Sequence, residues 1–300
     1  MQFSRLLFCL LGLGVSTVNG VPFEARERLP LPATTVASLE QEGTWFENIA
    51  VRPNGNILVD LMQPNATIYT LRDCGSDAAR LIPLVNFPDA DGVLGITEVA
   101  EDAFVVNTYQ FSAFVTPIPD TAIIWEVKFT SKDTDDFHVR KIVDVADTGL
   151  LNGMTSLSGP GGTACQPSRS TSILVADSYN GELIRVDLDS GNYEVVLDEP
   201  ELKKGPAGEG PGFGINGVHV HDGHLFWTNT DAKTIYRIAI DGLGYPMEDA
   251  TVETLITIPE ITILDDFTFD DAGNIWGAAV SENRIFRVAR EGGSTPYDTL

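Results

Sequence analysis

The chain has 300 residues, with 43 Asp and Glu against 19 Lys and Arg, for a formal net charge of −24. That balance argues against a nucleic-acid partner and against an anionic membrane surface, both of which are bound through Lys and Arg. Charged residues at 21% and hydrophobic residues at 43% are a globular composition, and 28 Gly and 17 Pro punctuating short apolar runs point to a strand-rich chain with many turns.

Residues 1–20 have the layout of a secretory signal peptide. Arg5 precedes an apolar run from Leu6 to Val15, and Val18 and Gly20 stand at the −3 and −1 positions of a cleavage site. The run is about half the ~20 residues of a membrane-spanning helix. The expected mature chain is therefore residues 21–300, one domain with no membrane span, carried by the secretory pathway to the exterior or to a vesicle. Its 18 bases against 43 acids would leave a charge of −25. Cys9 leaves with the leader, so Cys74 and Cys165 remain, enough for one disulfide in an oxidising lumen. Asn65-Ala66-Thr67, after Pro64, is a candidate N-glycosylation sequon, with an unmodified surface turn as the alternative.

The most informative feature is an internal repeat. Residues 47–58, ENIAVRPNGNIL, align without gaps on residues 265–276, DDFTFDDAGNIW, and both read as strand, tight turn, strand. Residues 216–227 repeat the pattern with one deletion, Asn152-Gly153-Met154 opens another copy, and Leu94-Gly95-Ile96 opens a weaker one. An alternating third strand follows each, as in Ile123–Val127 and Glu182–Val186. The five anchors, Glu47, Leu94, Asn152, Asn216 and Asp265, are 47, 58, 64 and 49 residues apart. Units of about 40–50 residues with four strands predict an all-β fold, a β-propeller of four-stranded blades. Five blades are legible. Only 35 residues follow Asp265, so the last blade is expected to be incomplete, unless Thr34–Leu39 returns as an outer strand to close the ring.

The first strand of each blade lines the central channel, so the anchors are expected to converge on one face. Four of the five offer oxygen ligands and none offers sulfur or imidazole, which suits Ca²⁺. Turn chemistry at strand starts is the alternative for the same Asn and Asp residues.

Trp45-Phe46-Glu47-Asn48, the Asn152-Gly153 and Asn216-Gly217 motifs, Leu174–Gly181 and the blade around Asp265 resemble the senescence-marker/gluconolactonase-like six-bladed propellers, over residues 30 to 290. The resemblance implies a divalent metal, usually calcium, held by Glu47, Asn216 and Asp265, with Asn152 as a nearby contact. Two departures stand out. Leu150 occupies the place of an Arg that binds polar substrate in sugar lactonases, and Asp266 replaces the Gly that follows the metal Asp. Losing a hydrogen-bonding Arg disfavours a polyhydroxylated substrate. The long loop from Thr108 to Pro119, with Tyr109, Phe111 and Phe114, is expected to lie over the channel mouth as an apolar lid, with Tyr179 and Phe213 as walls for small apolar molecules.

A signal-bearing propeller with an apolar mouth resembles the fungal propellers of natural-product clusters. Some of these are hetero-Diels–Alderases, which join a quinone methide to a terpene-like polyene. That chemistry needs a dry, shaped pocket and donors that polarise the heterodiene carbonyl, a task for Asn152 or Asn216. The alternatives are a calcium-dependent lactone or ester hydrolase, with Asp265 or Asp266 as general base, and a non-catalytic ligand-binding propeller. Other signals are read as structural: Gly205–Gly214 as a loop between blades, Asp133, Asp135 and Asp136 as a solvated acidic turn, and His219 and His221 as ordinary strand residues.

Overall fold

A computed structural model describes residues 33–157, 169–290 and the strand pair 298–299. The leader and Cys165 lie outside the described residues, while Cys74 is disulfide-bonded. Among the described residues there is no α-helix, and so none long and apolar enough to cross a membrane.

The chain folds into a β-propeller of five four-stranded blades. Blade 1 contains β1 (Trp45–Val51), β2 (Ile57–Gln63), β3 (Thr67–Arg72) and β4 (Arg80–Asn86). Blade 2 contains β5 (Gly92–Ala100), β6 (Ala103–Tyr109), β9 (Ala122–Phe129) and β10 (Phe137–Val145), and between β6 and β9 it carries a small hairpin of β7 (Phe111–Ala113) and β8 (Thr116–Pro117). Blade 3 runs through β11 (Leu151–Ser156), β12 (Ser172–Asp177), β13 (Glu182–Asp187) and β14 (Tyr193–Leu197). Blade 4 runs through β15 (Ile215–His221), β16 (His224–Asn229), β17 (Thr234–Ala239) and β18 (Glu253–Thr257). Blade 5 has β19 (Leu264–Phe269), β20 (Ile275–Ala279), β21 (Arg284–Val288) and β22 (Asp298–Thr299).

Second strands such as β6 and β12 are buried along their whole length because a neighbouring blade covers each face, which is why they read as continuous apolar runs. Outer strands such as β10 and β14 are mostly exposed and carry the charges. Apolar clusters fill the spaces between successive blades. Leu58, Ile68, Phe104 and Val106 join blades 1 and 2, and Val105, Ile124, Met154 and Val175 join blades 2 and 3. Leu174, Leu183, Val218 and Trp227 join blades 3 and 4, while Phe226, Ile235, Phe267 and Phe286 join blades 4 and 5.

The fifth blade is complete, since β22 pairs with β21 through Phe286–Thr299 and Arg287–Asp298. The segment 34–39 is not its outer strand. Val36 and Ala37 instead pack on Ile57, Val59 and Leu71, the face of blade 1 turned away from blade 2. Five blades therefore close the ring where the resemblance implied six.

All five anchors sit on first strands, and each strand is bulged there. The pairing register breaks around 47–48 in β1, 94–95 in β5, 152–153 in β11, 216–217 in β15 and 265–266 in β19. A bulge leaves residues out of the ladder and re-aims their side chains. In three of the pairs the second residue is a glycine that meets the next first strand. A Cβ on Gly95 would stand 2.2 Å from the Asn152 carbonyl oxygen, one on Gly153 2.6 Å from that of Asn216, and one on Gly217 2.7 Å from Asp266 Cα. Only glycine permits these approaches. At the seam between blades 5 and 1 the same position holds Asp266, whose Oδ2 accepts a 2.9 Å hydrogen bond from Asn48 Nδ2.

A second clasp joins blades 1 and 2. Arg52, 1% exposed, donates from Nε and Nη2 to both oxygens of Asp102, each at 2.8 Å, and from Nη1 to Asp135 at 2.6 Å, with Phe129 stacked 3.5 Å beneath its guanidinium. Asp135 also pairs with Arg72. The acidic turn is thus not wholly solvated: Asp135 neutralises a buried arginine, for which a desolvated cation requires a carboxylate.

Gly153→Ala is expected to lower stability by about 1–3 kcal/mol through overpacking. Gly242→Ala, at an exposed site with nothing within 4 Å of the added methyl, is expected to leave it within about 0.5 kcal/mol. Chemical denaturation of the two variants against wild type measures the difference.

Candidate functional site

The bulges bring all five anchor side chains to one pocket at the mouth of the channel. Glu47, Leu94, Asn152, Asn216 and Asp265 line it together with Trp45, Met62, Leu150 and Ile263, and Phe114, Val115 and Phe213 stand at its rim. The cavity is about 80 Å³ and opens to solvent. Most of its lining is apolar, and Glu47, Asn152, Asn216 and Asp265 supply its polar groups.

Its acids are electrostatically coupled. Burial, the charge of Asp265 and to a lesser degree that of Asp266 push the Glu47 carboxyl well above its ordinary range, against a 2.7 Å hydrogen bond from Trp45 Nε1 to Oε2. Burial and Asp266 push Asp265 up to about 7, opposed by a hydrogen bond from Asn216. Behind Glu47, Asp60 is wholly buried with neither oxygen bonded, and burial raises its pKa well above the usual value. Two or three acids sharing a dry site cannot all be charged without a cation.

Asn216 has a defined orientation. The Thr230 hydroxyl donates to the Leu264 carbonyl at 2.8 Å, so Thr230 Oγ1 accepts the 3.0 Å bond from Asn216 Nδ2. Asn216 Oδ1 is left buried without a partner. It is an acceptor, so Asn216 does not offer the free amide donor that carbonyl polarisation needs. It does complete a hard-oxygen donor set with Glu47 and Asp265, the chemistry Ca²⁺ takes. Among the described residues no group of three or more His, Cys, Asp or Glu surrounds one point. A cation here would rest on two carboxylates and the amide oxygen, with water in its remaining positions.

The other expected residues divide. Phe114 and Phe213 line the pocket, whereas Tyr109, Phe111, Tyr179 and Asp266 do not. Tyr109 is a core residue, 1% exposed, whose hydroxyl accepts from Leu151 N at 2.8 Å and meets Thr148 Oγ1 at 3.0 Å. Phe111 stacks on it as a lid support. Tyr179 stands behind Phe213, stacked at 5.2 Å. Asp266 belongs to the seam. Burial works to raise its pKa, yet His219, 3.1 Å away, the Phe267 amide and Asn48 hold it below the usual carboxylate range. His219 is thereby an Asp266 partner rather than an ordinary strand residue. Asn65 is exposed in the β2–β3 turn, its carbonyl accepting from the Thr67 hydroxyl at 2.6 Å.

Sequence reasoning missed Trp45, Met62, Val115 and Ile263. Trp45 had a signal, since it precedes Glu47 by two residues on a strand and shares its face. Asp231 had none. Its carboxylate accepts from Gly205 N at 2.9 Å, Gly212 N at 3.0 Å and Phe213 N at 3.3 Å, which folds the Gly-rich loop so that Phe213 reaches the pocket.

Fold and site together define a β-propeller with a roofed, apolar pocket at its channel mouth. No family model matches the chain. A protein of Phoma sp named "Putative hetero-Diels-Alderase" is 28% identical over 298 residues, covering 92% of this chain and 80% of that protein. One of Sarocladium schorii bearing the same name is 27% identical over 256 residues, 79% of this chain and 61% of its own length. Solved structures share the fold: a streptogramin B lyase with a TM-score of 0.50 at 16% identity, covering 85% of this chain and 68% of that one, and a luciferin-regenerating enzyme with 0.52 at 14%, covering 81% and 72%. The PQQ-bound aldose sugar dehydrogenase of Streptomyces coelicolor scores 0.52 at 14%, covering 85% and 80%. The chain is thus a β-propeller whose sequence relatives carry the hetero-Diels–Alderase name.

Asp265, raised in the fold above its unfolded value near 4, contributes stability that is full at low pH and drains as pH rises through about 7. In chelator-treated protein the melting temperature is expected to fall from pH 5 to pH 7.5, less so in Asp265→Asn. Added calcium at pH 7.5 is expected to raise it in wild type and not in the variant. Thermal melts across the pH series read both effects.

Proposed function

We propose that the protein catalyses an intermolecular hetero-Diels–Alder cyclisation, joining a reactive quinone methide to a terpene-like polyene in the roofed pocket. The observation that carries this reading is the pocket's lining: Met62, Leu94, Leu150, Phe114 and Phe213 make it mostly apolar, and Glu47, Asn152, Asn216 and Asp265 supply its polar groups. The names of the two sequence relatives support the same class.

A cyclisation of this kind transfers no group to the protein. The walls hold the polyene against the heterodiene in near-attack geometry and exclude water, for which effective molarities are large. Negative charge grows on the heterodiene oxygen as the bonds form, and a donor aimed there lowers the barrier. Glu47, kept toward its neutral form by burial and by Asp265, and the Asn152 amide line the pocket as the candidate donors. A divalent cation bound by Glu47, Asp265 and Asn216 Oδ1 would supply the same polarisation. Leu150, in the wall where sugar lactonases carry an Arg, gives a polyhydroxylated lactone no partner, and Asp266 is committed to His219 and Asn48 rather than to a water in the pocket.

The test supplies a quinone methide generated in situ together with a humulene-type polyene. Wild type is expected to form the cycloadduct faster than the background reaction and with one dominant stereoisomer. Phe213→Ala and Phe114→Ala are each expected to reduce the rate about tenfold through lost orientation and to erode the isomer ratio. Background rate and background isomer ratio with folded wild type would leave a ligand-binding propeller in place of an enzyme.

A further inference from the structure

We propose that Trp45 is a positioning residue that ties the lid to Glu47, with Tyr179 as the lid's latch, and that the site takes a planar aromatic ligand bearing one hydroxyl or carbonyl oxygen. The choice of ligand rests on the cyclase reading. The linkage rests on contacts that run unbroken from one side of the pocket mouth to the other.

The β7–β8 hairpin crosses the mouth from blade 2 and turns at Phe114-Val115. Val115 holds φ +44°, a strained conformation for a β-branched residue. Such strain persists only where the surroundings enforce it, and it gathers at clamps and switches. Here the Tyr179 hydroxyl of blade 3 donates a 2.5 Å hydrogen bond to the Val115 carbonyl. Tyr179 is itself fixed from below. Asp177, wholly buried, accepts from Tyr179 N at 3.2 Å and from Gly149 and Leu150 N at 2.7 and 3.0 Å, and Phe213 stacks on the ring at an interplanar angle of 15°. The latch post is fixed and the hairpin tip is strained, and the Tyr179 hydrogen bond, with the packing of Val115 on the core, holds the tip against that strain.

On the other side of the tip, Phe114 packs on Trp45 with ring centroids 5.3 Å apart. Phe114 is 50% exposed, so its ring serves the mouth more than the core. Trp45 in turn donates from Nε1 to Glu47 Oε2 at 2.7 Å. The ring that the lid presses is thus the ring that orients the carboxyl. Trp45, Phe114 and Phe213 line the pocket together with Glu47. A flat ring can pack on these aromatics and place a single oxygen at Glu47.

The experiment measures dissociation constants of naphthalene and 2-naphthol by calorimetry, and amide hydrogen exchange over residues 111–116. Wild type is expected to bind 2-naphthol about tenfold more tightly than naphthalene, the effect of one well-placed hydrogen bond. Trp45→Phe keeps the wall and removes the N–H, so naphthalene affinity should hold while the preference shrinks to about threefold or less. Phe114→Ala, a half-exposed tip position that does not threaten folding, should shrink the preference as well, although Phe114 reaches Glu47 only by way of Trp45. In a Glu47→Gln background Trp45→Phe should change nothing further, because coupled residues are non-additive. Tyr179→Phe should speed exchange at the tip about fivefold or more. An unchanged preference in Trp45→Phe or Phe114→Ala, unchanged exchange in Tyr179→Phe, or failure of both probes to bind would overturn the proposal. Neither probe can cyclise, so loss of the cyclase reading with these ratios intact would leave the linkage standing.

Discussion

The structure depends on how closely the first strands approach one another around the channel. Gly95, Gly153 and Gly217 let each bulged strand press against the backbone or base of the next, at distances a methyl group could not share. The glycine is therefore the partner of the anchor before it: one residue of each bulge turns its side chain into the pocket, and the next lets the ring tighten enough for those side chains to meet. A propeller with wider spacing would hold the same five anchors too far apart to act on one ligand. The seam is where this logic changes. Blade 5 and blade 1 have no apolar cluster between them among the described residues, and Asp266 with Asn48 forms the bridge there.

Tight convergence has an electrostatic cost. It sets Glu47 and Asp265 into the same pocket, with Asp60 behind them, and raises all three pKa values. Asp266 escapes the same fate because His219, Asn48 and the Phe267 amide stabilise its charged form. Two adjacent acids in β19 therefore have opposite characters, one turned to the pocket and near neutrality, the other a charged element of the seam.

Much of the fold was legible because a propeller repeats its local chemistry. The turn motif at 47–58 and 265–276, the alternating third strands and the anchor spacing all follow from blades of one geometry, and the anchors did converge. The blade count was harder, since it depends on β22, a short pair of residues with no apolar pattern. Aromatic residues in the 108–119 loop announced a lid, yet sequence had no means of separating Phe114, which lines the pocket, from Tyr109, which fills the core beneath it. Alternation alone decides that, and the chain turns at Gln110 into a new hairpin. Asp135 read as solvated because its partner, Arg52, lies 83 residues away. Asp231 was invisible for the same reason: a carboxylate that organises a loop by three backbone N–H bonds leaves no pattern in the chain.

The pocket also shows why the rigid and the strained parts of the mouth stand where they do. The floor comes from bulged strands locked in a ring, and Leu94, Met62 and Leu150 offer it no freedom to move. A catalyst that works by shape needs that rigidity, because each degree of freedom left to the reactants subtracts from the effective molarity gained. A closed cavity would admit nothing, so mobility has to be confined to one element. The hairpin is suited to it: it pairs only with itself, its tip carries a positive φ at Val115, and one phenolic hydrogen bond ties it to the opposite blade. Strain at the tip lowers the work of opening, while the Phe114–Trp45 contact makes closing felt at Glu47. Rigidity in the ring and strain in the lid are in this way complementary requirements of one site.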